Sequence, residues 1–370
     1  MKLKRHGILA GALLTATLAL AACGTDDNTG NGTNNSTASA SASDCATGKL
    51  TAQGSTAQKN AMDQWIKDYA AKCSGASIDY QGTGSGAGIQ AFIAGTADFA
   101  GSDSAMKDPE EQPKADTRCG AGNKAIHLPL VIGPIAIVYN IDGVTNLQLS
   151  PATVAKIFAN KVTKWNDAAI AADNPGVTLP ATAILPVHRA DSSGTTDNFL
   201  KYLSKTAAAD WTYGNAKEWP LKEGGQGEPK SDGVAGAVKA NKGAIGYVEW
   251  SFAEVNGLAK VKVKNAAGEY TELTAESAGK TIESAQVAGT GDDLKLTVDY
   301  NTTAAGAYPI VLVTYEIVCG KGTPADKLAL VKGFLGYAAG DGQATLTKLG
   351  YAPLPATVSA KVKTAVSNLS

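Results

Sequence analysis

The chain has 370 residues, 44% hydrophobic and 18% charged, with a formal net charge of −1 and only three His. At roughly 150 residues per domain this is material for about two domains, and it is too apolar and too weakly charged to be disordered as a whole. No basic excess exists to neutralise nucleic-acid phosphates, no collagen or heptad period is present, and the scarcity of His speaks against a His-rich metal enzyme.

At the N-terminus Lys2, Lys4 and Arg5 precede an apolar run over 7–20 (GILAGALLTATLAL), shorter than the ~20 residues that cross a bilayer. It ends in Leu20-Ala21-Ala22-Cys23, and small residues before a Cys resemble a bacterial lipobox. Residues 1–22 are therefore expected to be a lipoprotein signal peptide, with Cys23 lipidated as the new N-terminus. Residues 24–44 hold no large apolar side chain, so 23–44 reads as a flexible, lipid-anchored linker. The folded remainder is expected outside the cytoplasm, held at a membrane surface. Loss of 1–22 removes three positive charges and no negative ones, leaving about −4.

Cys45, Cys73, Cys119 and Cys319 remain. An even number in an exported chain predicts two disulfides, and the spacing is not that of a zinc or thioredoxin-like motif. Cys45 and Cys73 each precede a predicted strand, so adjacent parallel strands would pair them. Cys119 precedes a strand and Cys319 follows one, as an antiparallel pair would require. Four Cys allow three connectivities; this one is the expectation.

Residues 49–53 predict a strand, followed by Gly54-Ser55-Thr56 and a helix near 57–71 with Met62, Trp65, Ile66, Tyr69 and Ala70 on one face. A second strand is predicted at 77–81, then a glycine loop at 82–88 and a short helix carrying Ile89, Phe92 and Ile93. Ala97–Ala100 predicts a third strand, leading to Gly101-Ser102-Asp103. The apolar stretch 126–141 contains Gly133-Pro134 and predicts two strands with a break between them. Ser150-Pro151 signals a helix start. A strand at 184–188 precedes the loop Arg189–Thr195 and a helix with Phe199, Leu200 and Leu203. A helix near 232–240 leads to a strand at Ala244–Glu249. Residues 258–300 show only short β-like pieces. A strand at 309–318 and helices near 324–338 and 342–348 close the chain. The βαβα order predicts an α/β fold with mainly parallel sheets and helices on both faces.

Three loops share one design. Gly54–Ala57, Gly84–Gly88 and Asp191–Thr195 each follow a strand, combine Gly with hydroxyl residues, and open a helix. Helix N-termini carry unpaired N–H groups and partial positive charge, so three such loops at the carboxyl ends of strands point to one bound anion. Arg189 suits a tetrahedral oxyanion, and Asp191 is placed to orient it. Asp103 should repel an anion unless the ligand carries a proton, because an ionised carboxylate only accepts. Hydrogen phosphate carries one and sulfate does not, so Asp103 would decide between them.

These residues resemble a known family. GSTA (54–57), YQGTGSGAG (80–88), ADFAGSD (97–103), LPLVIGPIAIVYN (128–140), KVTKWND (161–167), HRADSSGTT (188–196) and GAIGYVEW (243–250) are similar to segments of the phosphate-binding component of the phosphate-specific ABC importer. The similarity covers roughly 46–370. It implies a two-lobed periplasmic-binding-protein-like fold of type II, with lobe 1 over 45–131 and 309–370, lobe 2 over 132–308, and a ligand cleft between them. It implies phosphate contacts from Thr56, Ala57, Ser85, Asp103, Arg189, Ser193, Gly194 and Thr195, with Asp191 behind the arginine; Ser55 is an extra hydroxyl of open role. Ala57 stands where many relatives carry a larger residue. Delivery to a membrane permease, a monomeric state, and no catalysis, metal or cofactor are further implications.

Other readings compete. Gly82–Ala87 satisfies GxGxxA after a strand, as in dinucleotide-binding oxidoreductases, but the strand is polar and not the first. His188, Asp191 and Ser193 could suggest a hydrolase or phosphatase, yet no GxSxG elbow exists and one short loop rarely supplies a triad. Gly279-Lys280-Thr281 lacks the first Gly of a P-loop, Thr274 standing there. A receptor for sulfate, molybdate or a phosphate ester is disfavoured by Asp103 or by a closed cleft. His127 and His188 read as packed strand residues, Trp65 as core.

Overall fold

In the computed structural model, which describes residues 45–370, strands and helices alternate from the start. The signal peptide, Cys23 and the linker expected over 1–44 lie outside the described residues. Strand β1 (Gly48–Gly54) leads to helix α1 (Lys59–Lys72), strand β2 (Ala76–Gly82) to helix α2 (Ser85–Ile93), and strand β3 (Phe99–Ser102) follows. β1 lies between β2 and β3 and runs parallel to both. Leu50 and Ala52 of β1 enter the same core as Ala61, Met62, Trp65 and Tyr69 of α1. Of the other residues expected on that face, Ile66 is half-buried and Ala70 is exposed near the helix end. α1 starts two residues later than predicted because Ser55–Gln58 first make a turn, closed by Lys59 N donating to Thr56 O at 3.1 Å.

The stretch around Gly133-Pro134 corrects the sequence reading. Strand β4 (Ala125–Tyr139) is continuous and buried along its whole length. Ala125–Pro134 pair antiparallel with Val311–Cys319, and Ile135–Tyr139 pair antiparallel with Ala244–Glu249. β4 changes partner immediately after Pro134, so the residue that lacks an N–H sits where one ladder ends and the next begins. The Gly-Pro pair marks a junction between two sheets.

The resulting path runs β2, β1, β3, Val311–Cys319, β4, Ala244–Glu249, Leu185–Arg189, Gln226–Glu228, with Ala259–Lys260 added beside β4. The two expected sheets are thus joined through β4. Pairing is parallel towards both ends and antiparallel around β4. The α/β class stands, with a mixed centre that the strand order alone did not disclose.

Ser150 caps Pro151–Phe158 as predicted, accepting from Thr153 N at 3.3 Å. Five helices escaped the sequence reading: Gln112–Arg118, Ala168–Asp173, Trp250–Asn256, Ala275–Glu283 and Ala356–Asn368. The last had a legible stripe of buried residues, Val358, Val362, Ala365 and Val366, diluted by Ser, Thr and Lys. Both disulfides have the expected partners. Cys45–Cys73 (Cα–Cα 5.3 Å) clamps the approaches to β1 and β2, and Cys119–Cys319 (5.4 Å) joins the approach to β4 with the end of its neighbour. No helix among the described residues is long and apolar enough to cross a membrane.

Candidate anion-binding site

Every residue that the sequence nominates for anion contact is buried: Thr56, Ala57, Ser85, Asp103, Arg189, Ser193, Gly194 and Thr195. They come from the loop after β1, the first residue of α2, the residue after β3, the end of Leu185–Arg189, and the start of helix Gly194–Thr206. Ser193 is that helix's cap, its Oγ accepting from Thr196 N at 3.2 Å. Ser55 also acquires a place: its hydroxyl donates to Asp103 Oδ1 and accepts from Ala57 N at 3.0 Å.

Asp103 is 3% exposed. Besides Ser55, Oδ1 accepts from Thr314 Oγ1 at 2.7 Å, while Oδ2 accepts from Ser85 Oγ at 3.0 Å. Two carboxylate oxygens have about four acceptor positions, so three hydroxyls leave room for one more donor. Burial pushes the Asp103 carboxyl up to about 6; the Ser55 bond opposes that, the nearby Glu249 adds to it, and Thr314 and Ser85 hold it down. At neutral pH it is mainly an ionised acceptor.

Arg189 is 2% exposed. Its guanidinium is gripped bidentately by Asp191, Nε to Oδ1 at 2.7 Å and Nη2 to Oδ2 at 2.6 Å. Burial alone would lower its pKa, but Asp191 more than offsets this. Asp191 in turn is held below the usual carboxylate range: burial raises it, and the Arg189 bonds and charge outweigh that. Nη1 points the other way, to Ser231 Oγ at 3.3 Å and Thr195 Oγ1 at 3.5 Å.

Contacts from the two sheet halves meet here. Thr56 Oγ1 lies 2.8 Å from Ser231 Oγ, Gly86 N donates to Ser192 O at 3.1 Å, and Asn198 Nδ2 donates to Asp103 O at 2.6 Å. A β-carbon on Gly194 would stand 2.6 Å from both Asp103 Cβ and Ser85 Oγ, so only glycine lets this helix end approach. Farther out, Lys217 and Glu111 form a buried ion pair at 2.8 Å, and Ser193 N donates to Lys217 O at 2.9 Å.

Sequence reasoning missed Ser231, Glu249 and Thr314. Glu249 is fully buried, with Oε1 accepting from Thr195 and Oε2 without a partner. Its signal was present, a carboxylate ending an apolar strand in GAIGYVEW. Thr314 is one polar residue inside a buried strand, and only strand register brings it to Asp103. Next to it Glu316, opposite Gly101, is fully buried, and neither carboxyl oxygen has a hydrogen bond. Burial pushes Glu316 up to about 8; the neighbouring Gln58 amide, outside hydrogen-bond geometry, pulls weakly the other way, and the Asp103 charge adds to the rise.

The competing chemistries are not assembled. His188 Nδ1 donates to Arg189 O at 3.0 Å and the ring stacks on Trp219, while Ser193 and Asp191 are engaged elsewhere. Trp219 thus stacks within the fold, which the sequence did not anticipate. His127 is packed as expected, Nδ1 donating to Asp293 and Nε2 accepting from Met106 N, with burial keeping it neutral to lower pH than usual. The glycine loop after β2 is covered by Asp191-Ser192; a β-carbon on Gly86 would fall 2.1 Å from Ser192 Oγ.

Residues 39–341 match the PBP superfamily domain. The chain is 42% identical to phosphate-binding protein PstS 3 of Mycobacterium tuberculosis over the full length of both. It is 36% identical to phosphate-binding protein PstS of Xylella fastidiosa, over 83% of this chain and 82% of that one. Among solved structures it is similar to PfluDING, a high-affinity periplasmic phosphate-binding protein bound with phosphate. The TM-score is 0.69 at 22% identity, covering 86% of this chain and 93% of that one. A putative phosphate ABC transporter substrate-binding protein from Clostridium perfringens, also with bound phosphate, matches at TM-score 0.58 and 18% identity, over 83% and 100% of the two chains.

Proposed function

The chain belongs to the phosphate-binding (PstS) family of the PBP superfamily, and from that premise we propose that it is an extracytoplasmic receptor that captures inorganic phosphate and delivers it to an ABC permease. Phosphate is bound by the hydroxyls and N–H groups of Thr56, Ala57, Ser85, Ser193, Gly194 and Thr195, by the Arg189 guanidinium, and by Asp103. Lobe 1 comprises 45–131 and 309–370, lobe 2 comprises 132–308, and the cleft closes between them by a hinge motion. Lipid on Cys23 keeps the receptor near its permease. The protein works as a monomeric binder without catalysis.

One observation carries this reading: a buried carboxylate with one acceptor position to spare and a buried arginine both reach the first turns of one helix, Asp103 through Asn198 and Arg189 through Thr195. The arginine and helix ends supply attraction for an anion. The carboxylate demands that this anion bring a proton. Hydrogen phosphate meets both conditions at neutral pH. Sulfate would set acceptor against acceptor and like charge against like charge.

Calorimetric titration of the phosphate-free protein at pH 7 tests this. Saturable 1:1 phosphate binding at micromolar or tighter, with sulfate silent, is the expected result. Equal sulfate binding would remove the role given to Asp103, and silence with both anions would overturn the receptor reading.

A further inference from the structure

Ser231 lies at the second position of helix Lys230–Ala240, far in sequence from every loop that suggested an anion site. A serine near a helix start ordinarily bonds its own backbone. Here the cap residue is Pro229, without a side-chain bond, and the Ser231 hydroxyl turns away from the helix. It is 1% exposed and touches two groups: Arg189 Nη1 at 3.3 Å and Thr56 Oγ1 at 2.8 Å.

This pair of contacts constrains the direction of the protons. Arg189 can only donate, so Ser231 Oγ accepts from it. Ser231 must then place its own proton, and among the described residues Thr56 Oγ1 is the acceptor within reach. A buried hydroxyl proton without an acceptor is costly. Either hydroxyl can donate across this contact; with phosphate bound, every proton finds an acceptor when Ser231 donates to Thr56 and Thr56, which has no other partner among the described residues, donates to the ligand.

The backbone beside Ser231 supports a placed residue. Lys230 has φ +62, a left-handed conformation that residues with a β-carbon seldom adopt. Its N–H donates to Asp191 Oδ1 at 2.9 Å, the oxygen that also receives Arg189 Nε. Such backbone persists where its surroundings over-determine it, as they do at functional sites. One carboxylate oxygen thus fixes both the arginine and the turn that aims Ser231.

We propose that Ser231 is a positioning residue for phosphate capture: it accepts a hydrogen bond from Arg189, donates one to Thr56, and so fixes Thr56 as a donor to the ligand at the moment the two lobes meet. This rests on the phosphate reading above. Arg189 and Ser231 come from one lobe and Thr56 from the other, so the relay is completed only on closure. In the open form Thr56 can turn its hydroxyl to water.

The test is a double-mutant cycle read by phosphate titration of the full protein, with thermal melting of each ligand-free variant as a control. Ser231→Ala should raise Kd about tenfold while leaving the ligand-free melting temperature nearly unchanged. Thr56→Val should raise Kd further. The double variant should match Thr56→Val, because Ser231 acts through that hydroxyl. Ser231→Thr, which keeps a donor, should recover most of the loss. An unchanged Kd in Ser231→Ala overturns the inference, and so do losses that simply add in the double variant. If the unaltered protein fails to bind phosphate, the receptor reading falls and the cycle has no starting point; if it binds and Ser231→Ala binds equally well, only the relay falls.

Discussion

Asp103 lies just past the end of β3 and Glu316 on the strand paired with β3, and both are shut away from water. Asp103 collects hydroxyls from Ser55, Ser85 and Thr314, three separate segments of the chain. Glu316 collects none. Burial raises both, Asp103 to about 6 and Glu316 to about 8. At neutral pH one is mostly a carboxylate and the other mostly a neutral acid. Donors, more than depth, separate the two: a charge that must persist in a dry pocket has to be built from surrounding hydrogen bonds.

Removing the constructed charge should have the largest effect. Asp103→Asn turns a pure acceptor into a group that can also donate. The phosphate-over-sulfate affinity ratio should then fall on the order of a thousandfold, since the like-charge contact it removes costs several kcal/mol. Titration with both anions reads this, and an unaltered ratio would mean that the proton-acceptor role is mistaken.

Glu316 should show the opposite dependence, in stability. Its folded pKa lies above the usual glutamate value of 4.5, so between about 4.5 and 8 the folded state holds a proton the unfolded state has released. Its contribution therefore erodes as pH rises through that window, by about 3 kcal/mol between pH 5 and 8. Glu316→Gln should flatten the slope by that amount. Urea unfolding at the two pH values is the measurement, and parallel slopes in the two proteins would show that Glu316 does not titrate in this range.

A smaller change links the two cases. As pH falls through about 6, Asp103 gains its proton, becomes a donor, and should begin to admit sulfate. Thr314→Val removes one of the three hydroxyls, worth about 1.5 kcal/mol or roughly one pKa unit. The pH at which sulfate discrimination fails should therefore move up from about 6 towards 7. A midpoint that stays fixed would assign the stabilisation of Asp103 to Ser55 and Ser85 alone.

Much of this was readable from residues in line. The glycine and hydroxyl loops are contiguous, and each names its own strand end and helix start. Arg189 and Asp191 are two positions apart and find each other locally. What could not be read depends on register. Thr314 and Glu316 are both even-numbered polar positions of one apolar strand, and only the bulge between Thr314 and Tyr315 together with the pairing of Glu316 with Gly101 sorts them into site and support. Ser231 lacks any local signal because its partners are 175 and 42 residues away. Pro134 misled for the converse reason. A strand-breaking residue was visible, and the change of partner that accommodates it was not.

The Cys119–Cys319 bridge has a consequence for durability outside the cytoplasm. It closes a covalent ring of the chain, with a sequence separation of 200, and that ring contains Arg189, Ser193, Ser231 and Glu249. A single cut by a protease anywhere inside it opens the ring but detaches nothing. The two fragments remain tied at the sulfurs, beside β4 and its neighbour. A receptor clipped once in an exposed loop stays one molecule, with the sulfur bond still joining the approach to β4 and the end of the strand that carries Thr314.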